Sequence, residues 1–160
     1  MSTAYDLTKA PNANYPIAYN TMGSYTRRHV FDVAVDLPTV TAGDTAKIFN
    51  IAAGEFVKNV YIRNITASTT GSSTLEVGDS ASATGYNASV DATAAAGTIA
   101  GSNGANIFTQ SGTTPFAVTW KGGKGYTAAD YILITLGSTA PANGQFEVVA
   151  EIVPFSTSNL

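Results

Sequence analysis

From His29 onward the chain is a succession of short runs in which apolar side chains recur at every second position, the period of a half-buried strand. Phe31, Val33, Val35 and Leu37 alternate with Asp32, Ala34 and Asp36, predicting a strand over 30–37 that Pro38 ends. Thr45 to Ala52 predicts a second strand, closed by an Ala53-Gly54 turn. In 55–66, Val57, Tyr61 and Ile65 oppose Phe56, Val60 and Ile62, so both faces are expected to be partly covered. Ser73 to Gly78 carries Leu75 and Val77, and Phe116, Val118 and Trp120 alternate with Ala117, Thr119 and Lys121. Tyr131 to Leu136 is apolar nearly throughout, as a central strand would be. Phe146, Val148, Ala150 and Ile152 alternate with Glu147, Val149 and Glu151, up to Pro154.

Between Gly78 and Gly112 the pattern thins into Ala, Ser, Thr and Gly, and a long loop excursion with one or two short strands is expected. The run Ala92 to Ala96 lacks an amphipathic stripe and is bracketed by glycine, so no helix is assigned to it. Without crossover helices an α/β fold is excluded. Short strands separated by Gly-containing turns predict an all-β chain, an antiparallel β-sandwich or jelly roll with an extended N-terminal arm. The expected core holds Phe31, Val33, Val35, Val60, Ile62, Phe116, Val118, Trp120, Leu133, Phe146, Val148 and Ile152.

Residues 1–28 read differently and are set apart as the arm, with 29–160 as the β-sandwich domain. The stretch around Pro11 and Pro16 keeps neither period, and proline favours extended chain. The arm carries Tyr5, Tyr15, Tyr19 and Tyr25, half of the eight tyrosines. Solvated tails have few aromatics, and a tyrosine offers an apolar face with a polar tip, which suits a contact surface. These four are the candidate contact residues, toward a partner shell or a second protomer. The other reading is an arm folded back onto its own domain.

Charged residues make up only 12% of the chain, about half the ~25% of an average soluble domain. A weakly charged surface is cheap to desolvate, which favours association. The net charge of −3, with only Arg27 and Arg28 adjacent among the basic residues, gives no footprint for nucleic acid or an anionic membrane. No apolar run approaches the roughly 20 residues that span a bilayer, and no secretory signal is expected at the start. The absence of cysteine removes thiol nucleophiles, disulfides and Cys-based metal sites together.

His29 is the only histidine, beside two arginines that disfavour its protonation, and nothing around it resembles a supported general base. The carboxylate pairs Asp32 with Asp36 and Glu147 with Glu151 fall on polar strand faces, where solvation accounts for them. The loop from Gly78 to Gly85 begins with Asp79 but lacks the further ligands of a calcium loop, so Asp79 is expected to bond backbone amides in a turn. Lys121-Gly122-Gly123-Lys124-Gly125 has neither the order nor the following helix of a phosphate loop. Asn64-Ile65-Thr66 and Asn87-Ala88-Ser89 match the glycosylation pattern without a secretory context. No cofactor, no metal and no catalysis are expected.

Taken together, Phe31 to Leu37, Gly54 to Val60, Leu75 to Ser80, Gly85 to Asp91 and Gly144 to Glu151 resemble small β-sandwich structural proteins of tailed bacteriophages, the head decoration or cement proteins. The resemblance spans roughly residues 30 to 155 and carries no catalytic signature. It implies a virion protein made in the host cytoplasm and placed on the outer capsid surface. Its partner would be the major capsid protein, and it would bridge capsomers as a homo-oligomer, most simply a trimer. Two other readings stand beside it. One is a carbohydrate-binding or fibre module, which would need exposed aromatics where Trp120 is expected inside. The other is a jelly-roll coat subunit, which the lack of a basic genome-facing tail disfavours.

Overall fold

The computed structural model describes residues 4–6, 15–19, 23–101 and 123–154. The expected core positions Phe116, Val118 and Trp120 lie outside these. The described strands are β1 (Ala4–Asp6), β2 (Tyr15–Tyr19), β3 (Tyr25–Asp32), β4 (Thr45–Ile51), β5 (Glu55–Thr66) and β6 (Thr74–Gly78). They continue with β7 (Asn87–Asp91), β8 (Ile99–Gly101), β9 (Lys124–Tyr126), β10 (Asp130–Leu136) and β11 (Gln145–Pro154). A single helical turn, α1 (Val33–Asp36), interrupts them. One sheet has the order β1-β4-β10-β6-β7, and the other β2-β3-β11-β5-β8 with β9 also on β5.

The eight strands β3 to β8, β10 and β11 form a jelly roll. The first pairs with the last (β3 with β11), the second with the seventh (β4 with β10), the third with the sixth (β5 with β8) and the fourth with the fifth (β6 with β7). Each of these pairings is antiparallel, and the nested pairs form two four-stranded sheets. β1 and β2 are additions on one side of the sandwich, β1 on β4 and β2 on β3. The β1–β4 ladder is the one parallel pairing among the described strands.

Between the sheets lies one apolar cluster running from Phe31 to Ile152. Phe31 and Phe146, cross-strand partners on β3 and β11, stack with centroids 5.6 Å apart. Burying each large side chain here stabilises by about 1.5–3 kcal/mol.

Four expectations are corrected. Strand β3 stops at Asp32, because the Asp32 carboxylate accepts the Ala34 amide at 3.0 Å and Asp36 accepts the Asp32 amide at 2.7 Å. This reciprocal capping starts α1. Val35 therefore leaves the core and is 73% exposed, while Val33 and Leu37 stay buried. Leu133 is only half-buried, and Ile132 and Ile134 point inward instead. An all-apolar run does not reveal which of its faces is inside. In β5 a register shift opposite Glu151 and Ile152 puts Asn59 and Val60 both in buried positions, so inward residues run Val57, then Val60, Ile62 and Asn64. Finally, Glu147 is not solvated: it is 5% exposed.

Candidate functional site

The four arm tyrosines meet the structure along the β3–β4 side of the sandwich. On β1, Tyr5 pairs with Ala46 and its ring packs against the core cluster. Its hydroxyl donates to the carbonyl of Pro38 at 2.8 Å. That carbonyl belongs to the loop after α1, where Thr39 holds a left-handed backbone (φ 69°) without being glycine.

Tyr25 opens β3. Its hydroxyl donates to Glu55 Oε1 and accepts from Arg27 Nη2 at 2.9 Å. The Arg27 guanidinium also sits 5.2 Å from the Tyr25 ring centroid and donates to the Asn50 carbonyl. Glu55 closes the group by accepting the Ala52 amide at 2.7 Å. The cluster fastens β3 to the β4–β5 turn. Burial, with the Glu55 carboxylate as hydrogen-bond acceptor, pushes the Tyr25 hydroxyl up to about 12 against the opposing pull of Arg27.

On β2, Tyr15 is the register partner of Arg28 and Tyr19 of Tyr25. Both are placed here by backbone pairing alone. β1 and β2 are thus edge strands on the domain's own sheets, and Tyr25 to Arg28 belong to β3 inside the second sheet.

A second polar cluster lies inside the fold. The Asp79 side chain, fully buried, takes Lys124 Nζ at 2.6 Å and the Tyr126 hydroxyl at 2.8 Å on one oxygen. Its other oxygen accepts the Ala81 and Ser82 amides at 2.9 and 3.0 Å, the amide-bonded turn read from the sequence. Tyr86 joins through its hydroxyl, 2.9 Å from that of Tyr126. Burial by itself would raise the Asp79 carboxyl, but hydrogen bonds from Lys124, Tyr126 and the Ala81 amide, together with the Lys124 charge, hold it below the usual range. Burial foremost pushes the hydroxyls of Tyr126 and Tyr86 up, so both remain neutral donors. With both oxygens engaged, Asp79 is a fastener between the β6–β7 loop and β9.

On the outer face of the second sheet, Glu147 lies between Arg28 and Arg63, one from each flanking strand. A carboxylate shared by two guanidinium groups accounts for its burial.

The other candidate groups separate in space. His29 is 1% exposed within β3, out of reach of a substrate. Asn64 is also 1% exposed and its side-chain amide donates to the carbonyls of Asp91 and Ala94, so it is a clamp on the β7–β8 turn rather than a glycan acceptor. Asn87 is 4% exposed. A cleft of about 320 Å³ opens where α1 and the β5–β6 and β10–β11 connections meet. Its walls bond to one another, with Asn143 accepting from the Thr69 amide at 2.8 Å and donating to the Thr69 hydroxyl at 2.7 Å. Among the described residues no group of three His, Asp or Glu could hold a metal ion, and no helix is long and apolar enough to cross a membrane.

The arm tyrosines were singled out by composition, and the contacts described for Tyr5 and Tyr25 are with their own domain. Arg27, Glu55, Lys124 and Tyr126 were not singled out, because their partners lie tens of residues away and no spacing rule joins them.

No family model and no curated protein sequence matches the chain. Two solved structures are similar in fold over nearly their whole length. A chain of the cyanophage Pam1 capsid asymmetric unit matches 92% of this chain and 98% of its own, with 24% identity and a TM-score of 0.52. A chain of the capsid of Ralstonia phage GP4 matches 97% of this chain and 100% of its own, with 12% identity and a TM-score of 0.57. At such identities the likeness is one of fold alone.

Proposed function

We propose that this protein is a structural, non-enzymatic component of a bacteriophage particle, a decoration or cement protein on the outer surface of the shell. The observation that carries the reading is the end-to-end match in fold to single chains of two phage capsids. A jelly roll hosts many functions, so fold alone is an analogy, and the residues supply the rest. Among the candidate catalytic groups described above, His29 is buried, Asp32 and Asp36 cap a turn, and Asp79 and Glu147 are buried and ion-paired. The weakly charged surface favours burial against protein neighbours, and a net charge of −3 repels rather than gathers a genome. In this reading the partner is the major capsid protein and the working form a homotrimer that bridges capsomers, with Tyr5, Tyr15, Tyr19 and Tyr25 on the contact side.

A second reading, a jelly-roll coat subunit of the shell itself, draws equal support from the two capsid matches. The experiment that separates them is release from purified particles. A decoration protein co-sediments with intact particles and comes off in mild denaturant leaving closed shells. A coat subunit is released only as the shells fall apart. Failure to co-sediment at all would remove both readings.

A further inference from the structure

We propose that β1 is exchanged between copies of this chain: in the oligomer the seat on β4 is filled by the β1 of a neighbouring copy, with Tyr5 of one subunit bonded to Pro38 of the next. The inference rests on the oligomeric reading above and names the occupant of one contact within it.

The eight-stranded jelly roll is assembled without β1, which is added at the β4 edge with the Tyr5 ring against the apolar cluster. Its hold is local. The ladder covers three register pairs, Ala4 with Thr45, Tyr5 with Ala46 and Asp6 with Lys47, and the described side chain on it, Tyr5, anchors it. None of these contacts depends on which copy the strand comes from, so exchange conserves them all.

The two edges on this side differ in how they meet a strand. Beside β3, β2 carries Pro16, a residue that cannot donate to a further ladder and so closes an edge. Beside β4 no such residue stands. The seat there is shaped for one side chain: the Tyr5 hydroxyl reaches the Pro38 carbonyl, and the next residue, Thr39, is held in a left-handed conformation (φ 69°) that a β-branched residue adopts only when its surroundings impose it. Local strain beside a ligand-like anchor marks a built contact.

The connection allows the crossing. Eight residues separate Asp6 from Tyr15, and extended at ~3.3–3.6 Å per residue they span about 26–29 Å. Once copies stand side by side, a tethered strand meets its neighbour's seat at an effective concentration in the millimolar range, so exchange competes with self-docking and adds to the interface.

The cysteine-free chain makes the test direct. Ala4→Cys and Thr45→Cys place thiols on register partners in adjacent strands, about 4.8 Å apart and within reach of a disulfide. The double variant is folded at micromolar concentration, oxidised and run on a non-reducing denaturing gel. Exchange gives mostly covalent dimers and higher rungs, and the two single variants, refolded together, give the mixed dimer. An internal disulfide in a monomer band overturns the proposal, as does no disulfide at all. Light scattering provides a second measure. Tyr5→Ala should lower the mass of the oligomer, whereas an unchanged mass or a monomeric parent protein refutes exchange. The gel reads the free protein and the sedimentation experiment reads the particle, so either can fail while the other stands.

Discussion

Lys124 Nζ lies 2.6 Å from Asp79 Oδ2, joining a three-residue strand to a loop 45 positions earlier in the chain. Asp79 is fully buried and Lys124 partly so, and the Tyr126 hydroxyl shares the same oxygen. Replacing one partner leaves the other charge buried and uncompensated. Lys124→Met should cost about 3–5 kcal/mol, the usual penalty for breaking a buried pair. Tyr126→Phe, which removes one hydrogen bond to the carboxylate, should cost about 1.5–3 kcal/mol. Urea unfolding followed by circular dichroism measures both, and a loss under 1 kcal/mol for Lys124→Met would show that the pair is not formed.

The same group sets an acid limit. Asp79 titrates below its unfolded value, near 3.9 for an aspartate. A depressed carboxylate stabilises the fold fully above the unfolded value, and that stability is lost as pH falls through the folded value. Unfolding free energy should therefore hold through the neutral range, as far as this group is concerned, and drop below about pH 4. In Lys124→Met the acid drop should shrink, and an identical profile in the two proteins would exclude Asp79 as its source.

Glu76 should behave in the opposite sense. It sits on β6 with its carboxyl raised by burial alone, so the charged form is disfavoured in the folded state. Its contribution is present at low pH and lost as pH rises through the folded value. Glu76→Gln should be slightly stabilising at pH 7 and neutral at pH 3, readable as a shift in melting temperature at the two pH values.

The capped turn α1 separates two neighbours that an uninterrupted strand would have placed on one face. Leu37→Ala should cost about 2–5 kcal/mol, and Val35→Ala should stay within about 0.5 kcal/mol. Similar losses at both positions in chemical denaturation would restore the strand.

Much of the fold was legible because alternation is a direct record of burial. β4, β5, β10 and β11 fall close to where Thr45, Glu55, Tyr131 and Phe146 begin their runs. The failures have local causes. Residues 31–37 alternate well, but Asp32 and Asp36 cap a turn there, and short-range hydrogen bonds outweighed the period. Leu133 was misplaced because its neighbours are equally apolar. Glu147 gave no hint of burial, since the guanidinium groups that cover it come from β3 and β5. Of the candidate site, the tyrosines were marked by composition, whereas the partners Pro38 and Glu55 are set by tertiary folding alone.

The position of β11 between β3 and β5 bears on how the protein is made. Both flanking strands leave the ribosome long before the strand that joins them. About 80 residues separate the end of β5 from the start of β11, roughly 4–16 s of synthesis at ~5–20 residues per second. Until then the second sheet lacks its middle strand, and nothing joins β3 to β5 within it. Folding is therefore delayed until β11 emerges, and a topology dominated by such distant pairings is intrinsically slow to form. A nascent chain paused before Gln145 should be protease-sensitive along most of its length, and release of β11 should convert it to a resistant domain in one step.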